Sequence, residues 1–399
     1  MSWSLEQAEE HLLGLELFGM RFGLERMRRL LTALGSPQER FSAVHVVGTN
    51  GKSSTVRMTA ALLDAHGVRA GAFLSPHLTT FAERIRIGNA DLEAAAFGAA
   101  VQRAAAAAAK VDRTLEGGER VTQFELLTAA AFAELARREV DVAVVEAGLG
   151  GRWDATNVLG APVVVLTNVG LEHTRWLGPT IPDIAREKLA VVRPGATLVL
   201  GEADEDVLAL ARATEAEIVR PQPIGVELPG FQRTNFAVAY AAARAVLGRL
   251  DDGLVAAVAG RVQVPGRLQV IAERPLTILD GAHNASGVEA LVGALPDRPF
   301  TAVVSILDDK DAGAMLGALR RRCARFVCTR APTPRALPPA TLASLVEQLG
   351  GEAEVVPAPA AALARARELA GEGGAVIATG SIYLVADLVS GGRRKASAL

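Results

Sequence analysis

The run Ala43–Val47 is apolar and leads straight into Gly48-Thr49-Asn50-Gly51-Lys52-Ser53-Ser54-Thr55, beyond which helical periodicity continues to about His66. A strand that feeds a helix through a glycine turn belongs in a parallel sheet, because parallel neighbours can be joined only by a crossover. Such a turn also has a chemistry. Glycines let backbone N–H groups converge, and the helix N-terminus behind them favours negative charge, so phosphate is the expected guest. Lys52 would reach the β- and γ-phosphates, and a hydroxyl from Ser53 or Ser54 would hold Mg²⁺. Val46 stands where the first glycine of a full nucleotide loop would fall, so the reading rests on the flanking strand and helix.

The alternation continues on both sides. Ser4-Leu5-Glu6-Gln7 has the form of a capping box opening a helix to about Glu16, and Gly23 to Leu34 is a second helix stopped by Gly35. Strands are expected at Ala70–Leu74, Val142–Glu146, Val163–Asn168 and Thr197–Leu200. Helices between them are expected over Asp91–Val111, Phe124–Glu139 and Pro182–Val192, with Asn235–Leu250 and Asp251–Ala259 closing the unit. Val264-Pro265-Gly266-Arg267 breaks the pattern as a linker. A second alternation follows, with strands near Leu276–Leu279, Ala302–Ile306, Arg325–Thr329, Ala353–Val356 and Ala375–Ala378. The expected architecture is α/β: an N-terminal P-loop ATPase-type doubly wound domain at 1–264, a linker at 265–270, and a smaller Rossmann-like domain at 271–399.

With 399 residues, 50% of them apolar, the chain is too long for one ordinary core and too apolar for disorder. A formal net charge of -2 argues against wrapping nucleic acid or coating an anionic membrane. Two cysteines, Cys323 and Cys328, make neither a disulfide framework nor a metal knuckle and read as core residues of a reducing compartment. No secretory signal and no span of apolar residues long enough for a bilayer are visible, so a cytoplasmic protein is expected. Of 42 basic residues only five are lysines: Lys52, Lys110, Lys188, Lys310 and Lys395. A chain that otherwise prefers arginine keeps lysine where a point charge or a reactive amine is needed.

Further motifs stand in order along the chain: Leu74–Leu78 (LSPHL), Glu83–Ile87 (ERIRI), Phe124–Glu125, Val144–Asn157 (VVEAGLGGRWDATN), Glu172–Gly178 (EHTRWLG) and Ala185–Lys188 (AREK). After them come Pro265–Arg267 (PGR), Leu279–Asn284 (LDGAHN), Asp308–Asp311 (DDKD) and Thr379–Tyr383 (TGSIY). Together with Thr49-Asn50-Gly51-Lys52 this ordered set resembles the Mur ligase superfamily, and within it the folylpolyglutamate synthase/dihydrofolate synthase family.

The resemblance implies an ATP-dependent ligase that adds L-glutamate to folates, and also to dihydropteroate, through an acyl phosphate. Lys52, Lys188 and His173 would be catalytic. Gly48, Thr49, Asn50, Gly51, Lys52, Ser53, Ser54, Asn235, Arg267 and Asp280 would bind the nucleotide. Ser54, Ser75, Glu146 and His173 would hold Mg²⁺. Glu146 and His173 also follow apolar strands, the place where carboxylates and ligands meet in α/β sheets. Lys188 would be carbamylated, which arginine could not be. Phe22, Gly23, Leu24, Thr122, Phe124, Trp153, Asp154 and Ala155 would hold the folate, and His283, Asn284 and Ser381 the incoming glutamate. Asn235 could also be a helix N-cap, a role compatible with binding, and a helix-start cap is the competing reading of Asn284; His11, His45 and His66 read as structural. The expected partners are ATP, L-glutamate and a folate or dihydropteroate, for a monomer. Two departures stand out: Glu172 where the family has Asp, and Ser53 where it has Gly, the latter expected to be tolerated. The competing readings are a UDP-sugar peptidoglycan-precursor ligase of the same superfamily and a non-catalytic nucleotide-binding module.

Overall fold

The computed structural model describes residues 2–16 and 23–392; Phe22 and Lys395 lie outside them. The capping box at Ser4 and Gln7 forms as its sequence requires and opens the helix Leu5–Leu13. A second one, Thr122 with Glu125, opens Gln123–Arg137.

Eight strands make the first sheet, in the order Ala90–Asp91, Ile85–Ile87, Ala70–Phe73, Val142–Glu146, Ser42–Val47, Val163–Leu166, Thr197–Leu200, Glu217–Val219. All neighbours are parallel except the first two pairs, where Ala70–Phe73, Ile85–Ile87 and Ala90–Asp91 run antiparallel. Central strands such as Val142–Glu146 are buried throughout, which is why they read as unbroken apolar runs. One face is covered by the helices Ala94–Asp112 and Gln123–Arg137. The other packs Lys52–Ala65 against Gly230–Leu247.

The second sheet has six strands in the order Glu352–Val355, Cys323–Cys328, Phe300–Val304, Ala375–Thr379, Leu276–Leu279, Gln269–Glu273, with only the last pair antiparallel. Apolar clusters cover both of its faces. Cys323 and Cys328 are buried at either end of one strand, and burial pushes both thiols up to about 12, so they are inert core residues.

The sequence reading needs correction at edges and helix starts. The helix after Pro229 begins at Gly230, so Asn235 lies in its second turn and caps nothing. Among the described residues, the edge strand Gln269–Glu273 escaped the reading because Val270 and Ile271 are 52% and 41% exposed and leave no buried alternation. No helix of the described residues is long and apolar enough to cross a membrane.

Candidate active site

The loop after Ser42–Val47 is built for a close approach. Gly48 has φ +151°, and a Cβ there would fall 1.8 Å from the Thr167 hydroxyl. Gly51 has φ +82°, and a Cβ would meet the Asn235 side-chain oxygen at 2.5 Å. Only glycine fits either place. Neighbouring strand ends hold the loop down: Asn50 donates its backbone N–H to Asn168 Oδ1 at 2.8 Å, and Thr167 Oγ1 donates to the Asn50 carbonyl at 2.7 Å. Gly51 is also the N-cap of Lys52–Ala65, which no side chain caps. The first turn of that helix lines a cavity of about 730 Å³ between the two sheets.

Two lysines converge on the loop. Lys52 Nζ donates to the carbonyls of Gly48 and Thr49 at 3.0 and 3.1 Å, and Lys188 Nζ donates to the Gly48 carbonyl at 2.7 Å. Lys188 is 4% exposed and so is not a solvated surface charge. Burial, reinforced by the charge of Lys52, brings its amine down from 10.5 to about 7.

Glu146 ends its strand 1% exposed. Its oxygens accept from Ser53 Oγ at 3.0 Å and from the Ser75 N–H at 3.1 Å. An ion pair of Glu146 with Arg152 does not occur, since Arg152 pairs with Glu187 at 2.8 Å. Burial raises the Glu146 carboxyl, against the pull of Lys52, Ser75, Ser53 and Arg267. His173 sits at φ +52° before the short helix Thr174–Leu177, and burial brings its ring down to about 4, so it is neutral above that. Glu146, Ser53, Ser54 and His173 line one cavity, and carboxylate, hydroxyl and imidazole are donor types that a divalent cation carrying phosphate oxygens accepts; among the described residues no group of three or more His, Cys, Asp or Glu is gathered as a metal site. Ser53 places its hydroxyl against Glu146, so the bulkier residue after Lys52 finds a partner in the site, and the helix begins at Lys52.

The second sheet faces this cluster. Asp280 accepts from the N–H groups of Leu268 and Ala282, both at 2.8 Å, and burial raises its carboxyl despite the nearby charge of Arg267. Arg267 lies over Gly281, where a Cβ would fall 2.9 Å from its guanidinium. Asn284 caps the helix Ala285–Ala294 and also donates to Asn50 Oδ1 at 3.0 Å, while Asn50 Nδ2 donates to Ser286 Oγ at 3.0 Å. The glycine loop is thus tied directly to the second sheet's helix. Ser381 lines the same cavity and caps the helix Ile382–Ser390.

Thr49, Asn50, Gly51, Lys52, Ser53, Ser54, Ser75, Glu146, His173, Lys188, Asn235, Arg267, Asp280, His283 and Ser381 all line this one cavity, whereas the described residues expected to hold a folate are not among its lining. Thr122 caps a helix. Phe124 packs on Phe73 and under Gly148. Asp154 accepts from the N–H groups of Leu149 and Thr156, fastening its own glycine turn, with burial raising its carboxyl. Leu24 and Ala155 are buried, Gly23 has φ +155°, and Trp153 is exposed. His45 is buried against Thr156 Oγ1 at 2.8 Å, and His66 accepts from the Asp251 N–H; neither lines the cavity.

Sequence reasoning missed Asn168 and Ser286, and it left Glu172 and Lys310 without a role. A strand-end position was the available signal for Asn168, and scarcity of lysine for Lys310.

A family model described as "Mur ligase, glutamate ligase domain" matches residues 266–382. A Mycobacterium tuberculosis dihydrofolate synthase/folylpolyglutamate synthase is 35% identical over 366 residues, covering 79% of this chain and 75% of that protein. A probable bifunctional folylpolyglutamate synthase/dihydropteroate synthase of Haloferax volcanii is 34% identical over 419 residues; the match takes in 96% of this chain and spans half the length of that relative. Among solved structures, M. tuberculosis folylpolyglutamate synthase complexed with ADP superposes with a TM-score of 0.90 at 31% identity, covering 98% of this chain and 99% of that one. An Escherichia coli FolC complexed with DHPP and ADP gives 0.87 at 28% identity, over 97% of each chain. A Yersinia pestis bifunctional folylpolyglutamate synthase/dihydrofolate synthase with Mn, AMPPNP and L-glutamate bound gives 0.85 at 29%, over 97% and 98%.

Proposed function

Because the chain belongs to the folylpolyglutamate synthase/dihydrofolate synthase family of ATP-dependent ligases, we propose that it joins L-glutamate to folates and also to dihydropteroate, in the cavity between its two sheets. The observation that carries the reading is the convergence of Lys52, Glu146, His173 and Lys188 from one sheet with Arg267, Asp280 and His283 from the other. A Haloferax volcanii relative named a probable bifunctional folylpolyglutamate synthase/dihydropteroate synthase, of which this chain spans half, supports the second activity, since dihydropteroate is the acid that a dihydrofolate synthase joins to glutamate.

In the mechanism that follows, the uncapped helix N-terminus and Lys52 hold the terminal phosphates. The folate carboxylate oxygen attacks the γ-phosphorus, ADP leaves, and an acyl phosphate forms. The glutamate amine then attacks the acyl carbon, expelling phosphate and forming the amide. Glu146, His173, Ser75 and a hydroxyl from Ser53 or Ser54 would hold Mg²⁺, which supplies charge neutralisation on the phosphates. Lys188, its amine near neutrality, is suited to carbamylation, and a carbamate beside the loop would add an anionic oxygen ligand. Asn235, against Gly51, lies where an adenine could be read, and Arg267 with Asp280 would meet ATP from the far side of the cleft. His283, Asn284 and Ser381 would receive glutamate. Gly23, Leu24, Thr122, Phe124, Trp153, Asp154 and Ala155 would shape the folate end, several of them by supporting loops. The unit boundaries 1–264, 265–270 and 271–399, a monomeric state and a cytoplasmic location complete the proposal.

The test is ATP-dependent glutamate ligation on dihydropteroate and on tetrahydrofolate, with and without Mg²⁺. Activity on both supports the full reading; activity on tetrahydrofolate alone restricts it to tail extension. Silence on both, with ligation onto a UDP-sugar acid, would replace it.

A further inference from the structure

Glu172 stands in the loop after Val163–Leu166 of the first sheet, yet its carboxylate is spent on the second. Its Oε1 lies 3.1 Å from His283 Nε2 and 3.9 Å from Lys310 Nζ, with His173 Nε2 at 3.6 Å. His283 follows the strand Leu276–Leu279 and Lys310 follows Phe300–Val304, so both reach the cleft from strand ends of the second sheet. The seat is a built one. Glu172 is 9% exposed and the Lys310 side chain 8%. The His283 ring is fixed by a 2.9 Å contact between Nδ1 and the Gly281 carbonyl. Lys310 is also paired with Asp309 at 3.2 Å, itself held by Arg335 at 2.9 Å.

We propose that Glu172 is a placeholder: its carboxylate holds the His283–Lys310 seat that a carboxylate of the incoming glutamate takes during the reaction, and it doubles as a clasp between the two sheets until displaced. The inference rests on the reading of glutamate as substrate. Its warrant is chemical identity, for the seat is filled by a glutamate side chain and must accept the same group from a free glutamate. Glu172 is therefore a positioning residue that acts through His283 and Lys310. A competitor tethered to the protein lowers the fraction of molecules ready for substrate and raises the apparent constant in proportion.

The experiment measures the glutamate and ATP dependence of ligation in the wild type, Glu172→Gln and Glu172→Asp. Gln keeps the shape and removes the charge; Asp keeps the charge and withdraws it by one methylene. A closed clasp predicts that the glutamate KM falls about 3- to 10-fold in Glu172→Gln and moves the same way, less far, in Glu172→Asp, with the ATP KM within about twofold of wild type. An unchanged or raised glutamate KM in both variants would overturn the placeholder. If the wild type ligates glutamate to no folate, the functional reading fails instead, and the placeholder is then judged by calorimetric titration of L-glutamate onto the ADP-loaded protein. Tighter binding to Glu172→Gln supports it, and equal or weaker binding refutes it.

Discussion

Lys188 offers the sharpest quantitative prediction. Its amine is brought from 10.5 to about 7 by burial and by Lys52. At pH 7.5 about three quarters of the molecules then carry it neutral, against about one in a thousand for a lysine in water, a roughly 750-fold enrichment. Only the neutral amine attacks carbon dioxide to form a carbamate. Incubation with ¹³C-bicarbonate, chemical trapping of the carbamate and peptide mass spectrometry should therefore find the adduct on Lys188 at pH 7.5 and lose it as the pH falls below about 7, while exposed Lys110 stays unmodified. Lys188→Arg keeps a cation but forms no carbamate, and its kcat should fall by about 100-fold or more, in line with the loss of a metal-organising oxygen. The same shift has a stability signature. Between about 7 and 10.5 the unfolded chain binds a proton at this site that the folded one does not, so stability rises with pH across that window, and a Lys188→Met variant should lack the rise. Absence of any adduct at Lys188 at pH 7.5, or full activity of Lys188→Arg, would refute the reasoning.

Two further expectations concern the frame around the site. Gly48→Ala puts a methyl group 1.8 Å from the Thr167 hydroxyl, and ADP binding by calorimetry should weaken by at least about 100-fold; Gly160→Ala, with nothing within 4 Å, should leave it untouched. Glu134, fully buried, takes Arg103, Arg137 and Arg138 on its two oxygens. Burial pushes its carboxyl up, but the bonds to Arg137 and Arg138 prevail and hold it below 4.5. Glu134→Gln should lower unfolding stability in urea by about 1–3 kcal/mol at pH 7. The contribution is present above 4.5 and lost as pH falls through the depressed value, so the gap to wild type should narrow in acid.

The central strands and the glycine loop were readable because their constraints are local. A strand buried on both faces must be continuously apolar, and a turn needing positive φ must hold glycine. Edge strands lack that signature: Ile85–Ile87 and Ala90–Asp91 are too short, and Gln269–Glu273 too exposed, to impose a pattern. Asn235 illustrates a second limit. Its place after Pro229-Gly230 suggested a cap, whereas the helix starts five residues earlier and turns the side chain onto Gly51. Lys188 and Glu172 mark a third. Each stands beside another charged or titratable residue in sequence, and nothing local tells that one is sealed beneath the loop and the other reaches across the cleft to His283. Asp154 was legible as important but not as a fastener of its own turn, since that depends on where the chain closes.

Lys52–Ala65 begins at a glycine and receives no cap from any side chain. A helix opened this way borrows part of its completion from whatever anion arrives, so occupancy and folding are linked through RT ln(1 + [L]/Kd). If the loop holds the nucleotide as proposed, the protein's persistence in a cell would depend on its nucleotide pool: at low ATP and ADP, local opening would be more frequent and proteases would meet a softer target. Abundance would then follow energy supply without any dedicated regulator.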